Sequence, residues 1–228
     1  MNTPTSFVDD VIRARRSIRR YLPTPVAADT VKELLDLAAR APSGTNVQPW
    51  RVYALAGAEK EALGRAITEK YLASGIEGAE IDYYPKQWAE PWISRRRKVG
   101  ADLYALLGIA NGDKEKMARQ WLSNYRFFDA PVGLIFTFDR IFAPGMLLDY
   151  GMFLENLMLA ARARGLDTCP QLAFADFQDT LRQTLGLPEN ERVIGGMALG
   201  HADPDAPENQ LRTERVAAET FTDFRGFA

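Results

Sequence analysis

The chain has 228 residues, 46% hydrophobic, 11% aromatic and 25% charged, with a formal net charge of −2, the composition of a soluble globular protein with ample material for a core. That charge argues against a general nucleic-acid or anionic-membrane binder, which needs a basic footprint. The single histidine, His201, and single cysteine, Cys169, remove a Cys/His metal site and an internal disulfide, and very nearly remove Ser-His-Asp chemistry.

The opening segment MNTPTSFVDDVIRARR reaches Asp9 and Asp10 before any long apolar stretch, which fits neither a signal peptide nor a transit peptide. No run approaches the roughly 18 consecutive apolar residues of a membrane span. A cytoplasmic protein without a membrane partner is expected. Phe7, Val8, Val11 and Ile12 share one helical face, with Ser6 as N-cap, and that helix runs out near Arg13 to Arg16. Thr30-Val31-Lys32-Glu33 reads as a capping box opening a second helix through Leu34, Leu35, Ala38 and Ala39, halted by Pro42-Ser43-Gly44. Trp50 to Leu55 alternates as a strand.

Residues 59–72 read as an amphipathic helix, and Gly75 to Pro91 as an irregular aromatic-rich stretch. Further helix is predicted around 92–108 and over 113–127, the latter carrying Met117, Trp121 and Tyr125 at four-residue spacing. Pro131 to Phe138 is a buried strand, and Met146 to Arg164, apolar on almost every side, a helix in the middle of the core with Gly165 ending it. A short strand over 166–172, a helix over 176–185 and a strand over 193–199 follow. The final stretch, 203–228, is polar but keeps Val216, Phe221, Phe224 and Phe227, apolar anchors that call for a packing surface, with a partner subunit the natural one. With no repeat or linker, one α+β domain over 1–228 is expected, including a variable excursion around 75–110 and the tail 203–228.

Arg13-Ala14-Arg15-Arg16-Ser17-Ile18-Arg19-Arg20 holds five arginines in eight residues. Its plain reading is a solvated helix end complementing the macrodipole; its functional reading is an anion clamp of guanidinium forks and the Ser17 hydroxyl on a phosphate. Of the 28 basic residues 21 are arginine, the type suited to fixed bidentate contacts. The glycine-rich phosphate loops of the common nucleotide binders are absent from the sequence, so side chains would have to hold any phosphate. Arg95-Arg96-Arg97-Lys98 reads as an exposed helix face. Ala41 to Trp50 is either a plain turn between helix and strand or a small-residue loop that lets backbone approach a flat ligand.

Four ordered motifs then carry a resemblance: Arg15-Arg16-Ser17-Ile18-Arg19; Pro42-Ser43-Gly44-Thr45-Asn46-Val47-Gln48-Pro49-Trp50 about 25 residues on; Gly165-Leu166-Asp167-Thr168 ending a long buried helix; and Arg212 with Arg215 in the tail. Together with Phe127 to Val132 leading into a strand, they resemble the FMN-dependent nitroreductase family. The resemblance implies a central, mostly antiparallel sheet flanked by helices, in an intertwined homodimer with flavin sites at the interface. It implies that Arg15, Arg16, Ser17 and Arg19 surround the phosphate, ribityl chain and pyrimidine edge of FMN, with Arg215 and Arg212 on the phosphate. Pro42, Ser43, Gly44 and Asn46 reach the flavin from the other subunit, and Pro170, Gln171, Leu172 and Ala173 lie along it near N5. Where the family often has glycine, this chain has Ala173, which would be strained at positive φ.

The chemistry implied is transfer of reducing equivalents from NADH or NADPH through FMN to a nitroaromatic or quinone, in a ping-pong cycle that needs no catalytic side chain and no metal. Arg19 would stabilise negative charge at flavin N1. Tyr83, Tyr84, Trp88 and Trp92 fall in the excursion and either line the acceptor pocket or are ordinary packing. His201 reads as a capping or solvated residue and Cys169 as inert packing. The rival readings are the same flavin chemistry on an activated alkene or a halogenated phenol, and a non-catalytic nucleotide or nucleic-acid module built on the Arg13 to Arg20 cluster.

Overall fold

The computed structural model describes the backbone from residue 4 to 227 and side chains from residue 7. Four strands, β1 (Arg51–Ala56), β2 (Val132–Asp139), β3 (Asp167–Gln171) and β4 (Glu191–Gly200), form one antiparallel sheet in the order β1-β2-β4-β3. The sheet expected to be mostly antiparallel is antiparallel among its four strands, with a parallel bridge from Ser17 to Thr168 at the β3 edge. β2 and β4 are buried along nearly their whole length because helices cover both faces, which is why the β2 sequence shows no polar alternation.

One face packs on α2 (Ala28–Ala38) and α6 (Leu147–Arg162) through Leu34, Phe136, Phe153 and Leu157. The other packs on α3 (Gly57–Ser74) and α7 (Gln178–Leu185) through Leu63, Ile67, Phe177 and Leu181. Two glycines set the depth of this second layer. The Phe127 ring rests on Gly133 and the Phe174 ring on Gly196, where an added Cβ would come within 2.6 and 2.7 Å of the rings, and the two rings stack at 4.5 Å. A methyl group at either glycine would drive this aromatic pair off the sheet.

α1 (Pro4–Ala14), α4 (Trp92–Leu106) and α5 (Lys114–Leu122) complete the helices. The helix starts differ from expectation. α1 begins at Pro4, which puts Ser6 inside its first turn, and α2 begins at Ala28 behind Ala27, which offers no side-chain cap, so Thr30 lies inside the helix rather than before it. The helix predicted over 113–127 stops at Leu122. The chain then tightens through 123–129, where Phe127, Phe128 and Asp129 take positive φ of 54°, 53° and 62°. Burial of both rings and the ion pairs of Asp129 with Arg20 and Arg126 hold this strained turn. α6 is not apolar-packed all round: Leu148 is 78% exposed and Met152 also faces out, so one side of this central helix is open. Gly165, at φ 73°, follows the helix as expected.

The chain ends meet beside the sheet. Tyr21 pairs with Ala202, the Leu22 N–H donates to the His201 carbonyl at 2.9 Å, and the Asp203 N–H to the Arg20 carbonyl at 3.1 Å. On the other side of this segment Ser17 bridges to Thr168 of β3, with the Ile18 N–H donating to the Thr168 carbonyl at 3.0 Å. Residues 17–22 are therefore laced to both β3 and the strand end after β4. This lacing brings the arginine cluster and the tail to one place.

Candidate functional site

α1 ends at Ala14, and the following residues run in extended backbone along β3, so the arginines of 15–19 leave the helix and face the C-terminal tail. Between the two lies a cavity of about 710 Å³ whose lining includes Arg13, Arg15, Arg16, Ser17 and Arg19 from the first segment, Arg162 from α6, and Arg212 and Arg215 from the tail. Among the described residues, seven arginines and no carboxylate line it. Residues almost two hundred positions apart in sequence thus line one cavity.

Two of the seven are engaged by firm ion pairs. Arg15 Nε lies 3.2 Å from Glu155 on α6, and Arg162 Nη1 donates to Asp167 at 2.8 Å. Arg13 is more loosely placed, 3.9 Å from Asp9. Arg16, Arg19, Arg212 and Arg215 have no carboxylate partner among the described residues; Arg19 donates to the Ser17 carbonyl at 3.3 Å, Arg212 to the Asn209 and Leu211 carbonyls, and Arg215 to Thr213 Oγ1 and the Glu214 carbonyl. Arg16 Nη1 is buried without a hydrogen-bond partner among the described residues, and the Arg15 Nε contact with Glu155 is close but poorly aligned for a hydrogen bond. A buried guanidinium N–H left unpaired is costly. An anion with several oxygens, placed between the two arginine sets, would relieve that cost through charge-assisted forks.

Arg19 also lines a second, smaller cavity of about 280 Å³ with Arg20, Lys116, Ser123 and Arg126. Sequence reasoning did not single out this second group. Arg20 and Arg126 both pair with Asp129, so the strained turn of 127–129 positions them. Only the contact of α5 and the turn with the arginine segment reveals it; no local pattern marks it.

The other expected site residues lie elsewhere. Pro42, Ser43, Gly44 and Asn46 form an exposed loop tied to the start of α6: the Gly44 N–H donates to Asp149 Oδ2 at 3.0 Å, and the Gln48 N–H to Ser43 Oγ at 3.0 Å. Thr45, Asn46 and Gln48 hold positive φ, a conformation that costs about 1 kcal/mol or more per residue and persists where surrounding structure enforces it. None of these residues lines the arginine cavity of its own chain. Pro170, Gln171, Leu172 and Ala173 lie at the end of β3 and the turn after it. Gln171 is buried, with Nε2 donating to the Asn124 carbonyl at 2.6 Å and Oε1 unpaired among the described residues. Ala173 is not at positive φ, so the strain considered for it does not arise.

Tyr83, Tyr84 and Trp88 form a cluster in the excursion, with ring centroids 4.7 and 5.5 Å apart, and Arg96 lies over both Tyr84 and Trp88. Arg96 is thus more than part of an exposed face: it braces these rings. Trp92, at the start of α4, is exposed, and none of the four aromatics lines the arginine cavity. Cys169 is buried; burial pushes its thiol up, against the lowering influence of Arg19 and Ser17, which leaves it protonated and inert. The backbone carbonyl of His201 serves the pairing with Leu22. No group of three or more metal-ligating side chains occurs among the described residues, and no helix there is long and apolar enough to cross a membrane.

An antiparallel sheet between helices, with residues 13–19 and the tail closing on an arginine cavity without carboxylates among the described residues, has the charge and donors that suit a small polyanionic ligand. The comparisons narrow this class. A model of the nitroreductase family matches residues 12–201, and the chain belongs to that family. It is 43% identical over 224 residues to the nitrobenzene nitroreductase of Ectopseudomonas oleovorans, covering 97% of this chain and 98% of that one. It is 41% identical over 224 residues to a 4-nitrobenzoate reductase of Pseudomonas putida, covering 98% and 97%. Among solved structures, the FMN and NADPH-dependent nitroreductase NfnB from Sphigopyxis sp. strain HMH superposes with a TM-score of 0.93 at 37% identity, covering 96% of this chain and 99% of that one.

Proposed function

We propose that this chain is an FMN-dependent nitroreductase that oxidises NAD(P)H and reduces nitroaromatic compounds, and that the arginine cavity holds the FMN phosphate. The single observation that carries this reading is the convergence of Arg16, Arg19, Arg212 and Arg215, free of carboxylate partners, around one cavity with a buried, unsatisfied guanidinium N–H. A dianionic phosphate fits that charge and those donors. The nucleotide or nucleic-acid module is disfavoured by the same geometry, because the cluster lines a recess between the two chain ends instead of spreading across a basic face. Family membership and the names of the relatives support nitroaromatic acceptors; quinones belong to the acceptor class expected from the sequence.

When bound, FMN supplies the redox chemistry, taking a hydride from NAD(P)H and passing electrons to the acceptor. The protein's own residues do the rest. Arg16, Arg212 and Arg215 bind the phosphate, and Ser17 adds a hydroxyl to it. Arg15 and Arg162, already fixed by Glu155 and Asp167, hold the cavity wall and its positive potential. Arg19, shared by the two cavities, would hold the flavin's polar edge, where its guanidinium would favour negative charge. Pro170 to Ala173 lie on the β3 side, and Tyr83, Tyr84, Trp88 and Trp92 frame the acceptor.

The loop of Pro42, Ser43, Gly44 and Asn46 completes the site from a second copy of the chain. Support comes from its exposure and strained backbone, and from the apolar side chains open to solvent on α1 (Phe7, Val8, Ile12), α6 (Leu148, Met152) and the tail (Phe221, Phe224, Phe227). Large apolar side chains left open to solvent in this number are what an interface would cover. A supply of NAD(P)H suits the cytoplasmic setting expected from the sequence. The test is direct: the purified protein should be yellow, sediment as a dimer carrying two FMN, and oxidise NAD(P)H faster when nitrobenzene or 4-nitrobenzoate is added, with quinones assayed beside them. A colourless protein that FMN does not reconstitute would end this reading.

A further inference from the structure

Asn209 stands in the short turn Pro207–Gln210, between the end of β4 and the tail that carries Arg212 and Arg215. It is 3% exposed, in a stretch whose neighbours are mostly open to solvent. Its carboxamide is engaged on both sides: Oδ1 accepts from the Arg19 N–H at 2.8 Å, and Nδ2 donates to the carbonyls of Arg20 at 2.7 Å and Asp203 at 2.9 Å. Its own backbone carbonyl accepts from Arg212 Nη1 at 3.0 Å. Ordinary backbone pairing between the chain ends reaches only to Arg20 and Asp203. Beyond that point, Asn209 continues the attachment toward Arg19 on one side and Arg212 on the other.

We propose that Asn209 is a positioning residue for phosphate recognition, fixing the separation of the two chain ends so that their guanidiniums converge on one phosphate. This rests on the arginine cavity being the FMN phosphate site. Neither segment has regular structure of its own to hold it: 15–20 is extended chain joined to its surroundings by isolated bridges, and 211–217 belongs to no helix or strand. The carboxamide suits the task because it offers an acceptor and two donors from one rigid plane. Aspartate at this position would turn a second acceptor toward two carbonyls and open the clasp, and serine is too short to reach both sides.

The experiment compares dissociation constants of the full-length parent, Asn209→Asp and Asn209→Ser for FMN and for riboflavin, which lacks the phosphate, by flavin fluorescence after deflavination. FMN affinity is expected to fall by about tenfold in both variants and riboflavin affinity by no more than about threefold, since riboflavin loses only the Arg19 contact with its ring while FMN loses the converged phosphate contacts as well. Added Arg212→Ala should weaken FMN little further in the Asn209→Asp background, since the two residues act as one unit. An unchanged FMN constant overturns the proposal, as does equal weakening of FMN and riboflavin, the signature of general loosening. Arg16→Ala and Arg215→Ala separate the two ideas. If both leave FMN binding unchanged, the phosphate reading itself fails; if both weaken it and the Asn209 variants do not, only the clasp fails.

Discussion

Arg19 is fixed from two directions, its N–H by Asn209 and its guanidinium by the Ser17 carbonyl, and it borders both cavities. A fixed cation at a flavin's polar edge stabilises the reduced form, and it does so without reorganisation because its position is set before electrons arrive. Arg19→Ala should slow flavin reduction by NADPH about tenfold or more in stopped flow, with Arg19→Lys between the two, since a lone ammonium keeps charge but not the fork. A reduction rate unchanged in Arg19→Ala would remove it from the site. The arginines were legible in the sequence as a dense cluster followed by a distant pair. Asn209 was not, because an asparagine in a Pro- and Asp-rich segment is indistinguishable from an ordinary turn residue. Arg126 escaped for another reason: its meeting with Arg20 of the cluster at Asp129 depends on a left-handed turn that no glycine announces.

Among the elements, the excursion is loose in sequence but anchored in structure. Glu77 places its carboxylate at the start of α7, accepting from the N–H groups of Asp179 at 2.9 Å and Thr180 at 3.3 Å and from Thr180 Oγ1 at 2.6 Å. It thereby caps the helix from outside the helix's own sequence and satisfies donors that would otherwise lack partners. Glu80 pairs with Arg140 a few residues on, so the aromatic cluster of 83–88 hangs from a tethered start. Glu77→Ala should cost about 1–3 kcal/mol in urea unfolding, with Glu77→Gln costing less. It should also raise KM for the nitroaromatic as the aromatic wall loosens. Unaltered stability in Glu77→Ala would show that the cap does not hold α7. Strands and long helices were readable from their apolar pattern, periodic in β1 and α2 and nearly continuous in β2 and α6. Helix starts were not, because Ala27 carries no capping side chain, and α7 takes its cap from a residue a hundred positions away.

At the scale of the molecule, one chain provides an arginine-lined recess but leaves three pieces of the expected site apart: the strained 42–48 loop, the aromatic excursion and the open apolar faces of α1, α6 and the tail. The proposed twofold dimer would bring them together, since an isologous interface buries the same faces on both copies and would let each loop serve the other's recess. The tail illustrates what sequence could and could not convey. Its phenylalanines announce a packing surface, yet within the chain Phe221, Phe224 and Phe227 remain exposed, Phe227 at 81%, which is the ground for proposing that a partner supplies it. The proposed function requires flavin held by the arginines and cycling between NAD(P)H and a nitroaromatic. Anaerobic addition of NADPH to the purified dimer should bleach the flavin absorbance at one equivalent per FMN, and 4-nitrobenzoate added afterwards should restore it. Flavin that is not reduced by NADPH or NADH, or reduced flavin that nitroaromatics leave bleached, would contradict it.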